Sequence, residues 1–150
     1  MNQPAGTRRV IYPHAVVRGS QRWHTRAWCG ERLEYRDFTL GRISSPSLID
    51  AKPKELPPDQ AWDTMVEVRV AAHSALPHEQ EKVILDEYFK GTAGRRFSVR
   101  AALLNYLLND IRAATEPKRQ APPEYLLEVT NLEDLRPHLF SERAGRKRSD

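Results

Sequence analysis

Three prolines within ten residues divide this chain and limit what it can fold into. Residues 51–60 read A-K-P-K-E-L-P-P-D-Q, and such a run cannot continue a helix or a central strand, because proline fixes φ and lacks an amide hydrogen. We therefore predict a proline-rich linker over residues 51–61, between an N-terminal domain at residues 1–50 and a C-terminal domain at residues 62–140. The 150-residue chain is long enough for one domain or two small ones.

The residues before the linker predict short antiparallel strands. Residues 10–17 read as a strand that places Pro13 at an edge or a bulge, and further strands follow at residues 22–29 and 33–40. Strands at such close spacing are typical of a small antiparallel barrel or a meander. The single cysteine, Cys29, is predicted to be a small buried strand residue, because one thiol supplies neither a disulfide nor a multi-cysteine metal site.

The second of these strands predicts a binding site for an anionic ligand. Side chains alternate between the two faces of a strand, so one face would carry Arg22, His24, Arg26 and Trp28, and the other Trp23, Thr25 and Ala27. Arginine suits phosphate because its planar fork donates two parallel hydrogen bonds and stays charged. For Arg26 and Arg42 the alternative is a structural ion pair with Asp37 or Glu34. Exposed aromatic rings can stack on bases, but we favour core positions for the nearby rings, Trp23, Trp28 and Tyr35.

The net charge of +4 is unevenly distributed along the chain. Residues 1–50 carry eight arginines against four acidic residues, a balance of +4. Residues 51–140 carry twelve basic against fourteen acidic residues (−2), and residues 141–150 carry four against two (+2). The N-terminal domain therefore favours a polyanionic partner. We predict that residues 141–150 form a disordered basic tail.

The residues after the linker predict a mixed α and β domain. A strand is predicted at residues 65–71, followed by a helix that begins near Pro77 and ends near residue 89. The inner side of this helix is predicted to consist of Val83, Ile84 and Tyr88. A strand at residues 125–130 and a helical turn at residues 132–140 end the domain.

A second helix of this domain is predicted over residues 99–113, capped by Ser98 after breaks at Gly91 and Gly94. Its apolar residues recur at helical spacing, which is typical of a core-facing stripe, although part of the stripe could be a dimer surface. The stripe consists of Val99, Ala102, Leu103, Tyr106, Leu107 and Ile111.

Several classes of function are disfavoured by the sequence. No run of about 18 apolar residues could span a membrane, and the N-terminus lacks a signal-peptide core, which favours the cytoplasm. The chain has no glycine-rich phosphate loop, no G-x-S-x-G and no H-E-x-x-H motif. Its five histidines lack ligand spacing, although His14 and His24 could face each other across the first hairpin. We predict no enzyme, no metal site and no cofactor.

Several motifs carry a family resemblance. They are Y-P-H-A-V-V-R-G-S-Q-R-W-H-T-R-A-W-C at residues 12–29 and Y-R-D-F-T-L-G-R-I at residues 35–43. These runs resemble the WYL domain of bacterial transcription regulators, in particular the repressors found beside phage-defence islands, and residues 23–25 stand at the family's W-Y-L triplet. After the linker, L-P-H-E-Q, D-E-Y and V-R-A-A-L-L-N-Y-L-L are similar to the C-terminal extension of these proteins. The resemblance covers residues 9–139.

The resemblance implies an α+β protein, with an Sm-like or SH3-like antiparallel β-barrel followed by a small α/β extension that forms a homodimer. It also implies a sensing role, in which a single-stranded nucleic acid or nucleotide effector binds the barrel and controls a separate DNA-binding domain. The ligand-binding residues that it implies are His14, Trp23, His24, Arg26, Arg36 and Arg42.

The sequence departs from the family pattern at its start. Family members begin with a winged helix-turn-helix and have a further strand or two before the P-H-A motif, which here begins at Pro13. We therefore expect a barrel without its first strand, in a fragment or a truncated gene that reaches operator DNA only through a domain it lacks. The favoured hypothesis is the effector-sensing and dimerising portion of a repressor. The alternatives are a structural dimerisation module without a ligand and, less favoured, an enzyme acting on nucleic acid.

Overall fold

The computed structural model describes residues 6–50 and 55–139. The described residues form an α+β protein with two sheets and several helices, which confirms the predicted fold class. The chain divides into two compact units, unit 1 at residues 1–59 and unit 2 at residues 60–150, and each is described by itself. The predicted basic tail at residues 141–150 lies outside the described residues.

Unit 1 contains one antiparallel sheet in the order β1-β2-β3. Its strands are β1 (Ile11–Arg18), β2 (Trp23–Cys29) and β3 (Glu34–Thr39), and a short 3₁₀ helix follows at Leu40–Arg42. The sheet is an open meander within the part of the chain that the structure describes. A closed barrel, the finer part of the fold prediction, is not confirmed.

The β1–β2 pairing contains a bulge at His14. Pro13 pairs with Ala27 and Ala15 pairs with Arg26, so the histidine between them is the extra residue on β1. The structure therefore confirms the predicted placement of Pro13 at an edge or bulge. His14 does not face His24 across the hairpin as the sequence suggested, because His24 pairs with Val17.

Unit 1 buries mostly small or polar side chains. Ala27 and Cys29 of β2 are completely buried, which confirms the prediction for the cysteine, and His24 and Thr25 are buried beside them. Trp23 was expected in the core, but its side chain is 52% exposed because β2 begins there, at the end of the sheet. Among the described residues of unit 1 no large apolar side chain is fully buried, so apolar burial contributes less to its stability than in a domain with a large apolar core.

Unit 2 contains a mixed sheet in the order β5-β4-β7-β6, in which only the β6–β7 pair is parallel. Its elements are α1 (Gln60–Asp63), β4 (Met65–Ala72), α2 (His78–Phe89), β5 (Gly94–Arg100), a 3₁₀ turn (Ala101–Leu103), α3 (Leu104–Ile111), β6 (Ala113–Ala114), β7 (Leu127–Val129) and α4 (Leu132–Leu139). Among the described residues no helix has the length and apolar character needed to cross a membrane.

The core of unit 2 lies between one face of this sheet and the helices. Val68 and Val70 of β4 point into the core, whereas Glu67 and Arg69 between them are exposed, as a strand with one buried face requires. The same core holds Ile84 and Phe89 of α2, Leu104 and Leu108 of α3, and Leu135 of α4.

The predicted helix over residues 99–113 is wrong in its first part. Residues 94–100 form β5, which pairs with β4 along its length, and the helix proper begins at Leu104. Ser98 is therefore a strand residue and caps no helix. Pairing with a long neighbouring strand outweighs the local helical spacing. Gly94 is required here, because an added Cβ would lie 2.6 Å from the carbonyl oxygen of Val70.

The inner faces of both predicted helices also differ from the expectation. In α2 the buried residues are Ile84 and Phe89, while Val83 and Tyr88 are about half exposed. In α3 the buried residues are Leu104 and Leu108, so the predicted stripe lies beside the true core face. Four of its members are only partly buried and lie outside the core cluster of unit 2: Ala102, Leu103, Tyr106 and Leu107.

Candidate functional site

One face of the unit 1 sheet brings the predicted cationic residues together with a carboxylate. In the β2–β3 ladder Arg26 pairs with Asp37, Trp28 pairs with Tyr35, and His24 pairs with Thr39. Directly paired residues of antiparallel strands point to the same side of the sheet. The predicted grouping of His24, Arg26 and Trp28 is therefore correct, but their neighbours include an acid. The face is not purely cationic.

The centre of this face is an ion-pair cluster around Arg26. The Nε of Arg26 donates to Oδ2 of Asp59 at 2.7 Å, and its Nη2 donates to Oδ1 of the same carboxylate at 2.9 Å. Its Nη1 donates to Oδ1 of Asp37 at 3.3 Å. Arg26 thus lies between two carboxylates, one held by a bidentate contact. We call Arg26, Asp37, Asp59 and His14 the Arg26 cluster.

The two histidines of this face lie against the two carboxylates. Nε2 of His14 is 3.0 Å from Oδ2 of Asp59, and Nε2 of His24 is 4.0 Å from Oδ1 of Asp37. His14 is the extra residue of the β1 bulge, and its ring lies against the carboxylate of Asp59. Since each histidine carries charge only when protonated, these five residues comprise one permanent cation, Arg26, and two carboxylates.

Burial makes these contacts stronger than those of a surface ion pair. The side chains of Arg26 and Asp59 are only 11% and 6% exposed. Burial alone disfavours the charged guanidinium, but the hydrogen bond with Asp59 and the charges of Asp37 and Asp59 outweigh it, so the pKa of Arg26 is raised. Arg26 therefore remains a cation throughout the working range of pH.

Aromatic contacts fasten the segment that carries Asp59. The hydroxyl of Tyr35 donates to the carbonyl of Pro57 at 2.7 Å. The Tyr35 ring also meets the rings of His14 and Trp28 edge-on, with centroids 5.6 and 5.1 Å apart. The end of the proline-rich segment is therefore held on the same sheet face as the Arg26 cluster.

The other predicted site residues lie elsewhere in unit 1. Trp23 and Arg36 point to the opposite side of the sheet, since they alternate with His24 and Asp37 along their strands. Arg18 lies over the Trp23 ring at 5.8 Å, and Arg36 lies 3.6 Å from Glu34. Arg42 is exposed at the end of the 3₁₀ helix. Of the six predicted residues, the structure therefore brings together only His14, His24 and Arg26.

Asp59 is the residue that the sequence reasoning missed. It lies 33 positions after Arg26, at the end of a segment assigned to a linker, where an acidic residue is usually solvated. The only local signal is an acid directly after the Pro57-Pro58 pair, which is too common a pattern to predict a partner.

Two features of unit 2 are not candidate sites: His73, which has a structural role, and a groove that favours no ligand class. The buried His73 accepts from the Ala75 amide at Nδ1 and so donates from Nε2 to the carbonyl of Gln120, which fixes the following loop. An open groove of about 660 Å³ is lined by opposite charges, among them Arg112 and Glu116. Across residues 6–50 and 55–139, no three potential metal ligands cluster.

Comparison with known proteins agrees with this two-unit organisation. Residues 2–48 match the WYL domain family, and residues 65–135 match the family described as "BrxR transcriptional regulator, C-terminal dimerization domain". The chain thus carries a WYL domain followed by a BrxR-type C-terminal domain, which confirms the resemblance seen in the sequence motifs.

Relatives from three bacterial species carry the name "DNA-binding transcriptional repressor CapW". That of Escherichia coli (strain KTE188) is 34% identical over 135 residues, or 90% of this chain and 45% of the relative. That of Pseudomonas aeruginosa is 32% identical (91% and 46%), and that of Stenotrophomonas maltophilia is 29% identical (97% and 49%). The chain therefore spans about half the length of the curated relatives that it matches.

Proposed function

We propose that this chain is the effector-sensing and dimerising portion of a transcriptional repressor. The observation that carries the proposal is the tandem of a WYL domain and a BrxR-type dimerization domain. Operator recognition would then lie in a region that corresponds to the half of the relatives outside the match with this chain. The protein would act in the cytoplasm. A role in phage defence is part of the same proposal, in line with the repressors that the motifs resemble.

The effector that fits the WYL domain is an anion, and we favour a single-stranded nucleic acid or a nucleotide. Residues 1–50 carry a net charge of +4, and Arg26 already holds a carboxylate with the two-pronged geometry that phosphate would use. Exposed Arg22 and Arg42 would add attraction over a longer range. In this proposal the open sheet of unit 1 is part of the Sm-like barrel of the family.

Binding of fluorescent single-stranded DNA, followed by anisotropy, tests the sensing role. We expect affinity to fall as salt rises, because phosphate contacts release counterions. The double variant Arg26→Ala/Arg42→Ala should lose most of this binding. Arg136→Ala is the matched control, since it removes an exposed arginine from unit 2 and should leave binding unchanged.

Two results would count against the sensing role. Equal binding by the wild type and the double variant would show that the ligand uses another surface. Double-stranded DNA binding as tightly as single-stranded DNA would point to general phosphate attraction. Far-ultraviolet circular dichroism and a cooperative urea transition establish that each variant is folded.

Dimerisation is proposed to use the part of α3 that faces away from the core. Leu107 of α3 and Leu103, the last residue of the preceding 3₁₀ turn, are only partly buried and lie outside the core cluster, while Leu104 and Leu108 fill the core. Because the matched family is described as a dimerization domain, we propose that this surface of α3 packs against a second copy of the chain. We expect Leu107→Asp to shift the protein from dimer to monomer in sedimentation velocity. The control variant Val83→Asp, on the exposed side of α2, should remain dimeric. If Leu107→Asp also remains dimeric, the interface does not include Leu107.

The second candidate function is a dimerisation module without an effector. It is favoured by the full engagement of Arg26 with Asp37 and Asp59, since such an arginine acts as a structural residue. A folded dimer that binds neither single-stranded DNA nor mononucleotides would support it over the sensing role.

A further inference from the structure

The contact between Asp59 and Arg26 has the form of a ligand in a binding site. The carboxylate accepts from Nε and Nη2 of one guanidinium and also lies 3.0 Å from Nε2 of His14. Phosphate oxygens accept from arginine in the same planar, two-pronged way. The side chain of Asp59 is nine-tenths buried in this contact, so the chain supplies its own anion at the place where the sequence predicts a foreign one.

The two-pronged site on Arg26 is occupied while Asp59 is in place. Its Nε and Nη2 atoms each donate to Asp59 and its Nη1 donates to Asp37, so three of the five N–H groups of the guanidinium are engaged. With His14 neutral, the cluster holds two carboxylates and one guanidinium, a formal charge of −1 that repels phosphate. A ligand that uses Nε and Nη2 together must therefore take the place of Asp59.

Asp59 is the carboxylate that can leave. Asp37 is held in the β2–β3 ladder directly opposite Arg26, and its removal would open the sheet. Asp59 lies outside any strand, on a segment anchored by its own ion pair and by the exposed hydrogen bond from Tyr35 to Pro57. The next residue, Gln60, begins α1 of unit 2.

We propose that Asp59 is an internal competitor for the effector site, and that a phosphate-bearing ligand binds by taking its place on Arg26 and His14. This proposal rests on the sensing function above and specifies how the site opens. Displacement releases the segment before Gln60, so ligand binding in the WYL domain changes the restraint on the chain that enters the dimerization domain. The ligand class is a phosphate monoester or diester, as in a nucleotide or a single-stranded nucleic acid.

The test compares the wild type with Asp59→Asn, which keeps the shape of the side chain and removes its charge. The probes are inorganic phosphate and a fluorescent 5′-phosphorylated oligothymidylate. We expect Asp59→Asn to bind both about tenfold more tightly or better, because charge-assisted hydrogen bonds no longer have to be exchanged. Asp63→Asn is the matched control: it makes the same change in net charge at an exposed position four residues further on, and its affinity should stay at the wild-type value.

A second measurement follows the segment itself. In the wild type, saturation with the oligonucleotide should speed hydrogen exchange of the amides at residues 59 and 60, because Asp59 is released. Tyr35→Phe loosens the same segment without changing a charge, so it should bind the oligonucleotide more tightly than the wild type, by less than Asp59→Asn. If Asp59→Asn fails to fold, Tyr35→Phe still tests whether release of this segment increases affinity.

The outcomes separate this inference from the sensing function. Equal, Arg26-dependent binding by the wild type, Asp59→Asn and Tyr35→Phe would overturn the role of Asp59 and leave the sensing function standing. Tighter phosphate binding by Asp59→Asn, with no oligonucleotide binding by any protein, would support Asp59 as the competitor and reject a nucleic acid effector. Folded variants that bind neither probe would overturn the inference.

Discussion

The two units of this chain are stabilised in different ways. Unit 2 has a continuous apolar core, in which Val68, Leu104 and Leu135 are completely buried. Unit 1 buries small side chains and places an arginine between two carboxylates on one face of a three-stranded sheet. Apolar packing responds little to ions or pH, whereas a charged cluster responds directly to any anion that can replace one of its members. The proposed function assigns dimerisation to the unit with the apolar core and effector sensing to the unit with the charged cluster.

Truncation of the unit 2 core should give the largest loss of stability. Leu104→Ala removes a completely buried side chain from α3 and is expected to lower the free energy of unfolding by about 3–4 kcal/mol, through lost burial and the cavity left behind. Urea denaturation, with hydrogen exchange resolved by unit, measures the effect. Val83→Ala on the exposed side of α2 should change stability by only about 0.5 kcal/mol or less. A loss spread equally over both units would mean that they unfold together and would weaken the comparison.

Removal of the central cation of unit 1 should have a somewhat smaller effect. Arg26→Met keeps much of the side-chain volume but leaves Asp37 and Asp59 facing each other. We expect a loss of about 2–3 kcal/mol, below the usual range for a deeply buried pair because Asp37 is 19% exposed and admits water. Faster hydrogen exchange in β2 and β3, with β4 unchanged, is the expected signature. If stability is unaffected, apolar contacts rather than the Arg26 cluster hold the sheet.

The smallest effect is expected at Glu31, which ties the start of unit 1 to the β2–β3 turn. Its Oε1 accepts from the Val10 amide at 2.9 Å, and this hydrogen bond lowers the pKa of Glu31. A lowered carboxyl pKa stabilises the fold above the pKa of the unfolded chain, and this contribution is lost as pH falls through the folded pKa. Acidification from pH about 5 to about 3 should therefore lower the protection of the Val10 amide in the wild type, measured as its exchange rate relative to that of an unstructured peptide at the same pH. In Glu31→Gln the protection of the Val10 amide should depend less on pH. Identical pH profiles for the two proteins would show that Glu31 does not stabilise this contact.

The sequence predicted correctly those features of the fold that depend on residues close together in the chain. The α+β class, the bulge beside Pro13 and the burial of Cys29 all follow from short-range signals in the sequence. Residues 94–98 were predicted as a break and residues 99–100 as the start of a helix, because the strand character of this segment depends on pairing with β4. Helical spacing in α3 was detected, but its core face was misplaced by one residue, since Leu103 and Leu104 are equally apolar in the sequence.

The candidate site was predicted only in part, for a related reason. Alternation along β2 placed His24 and Arg26 on one face correctly, because alternation needs only one strand. Asp59 could not be predicted, since its contact joins residues far apart through a segment with no periodic pattern. Arg36 and Trp23 were assigned to the site by family resemblance, and the sheet directs them to its other side.

The extra residue in β1 has a consequence for how this protein can evolve. Because His14 is the extra residue of the β1 bulge, its deletion would allow residues 11–13 and 15–18 to join as one regular strand. The hairpin would survive, and only the ring beside Asp59 would disappear. Position 14 can therefore be substituted or deleted during evolution while the pairing of the strands around it is kept.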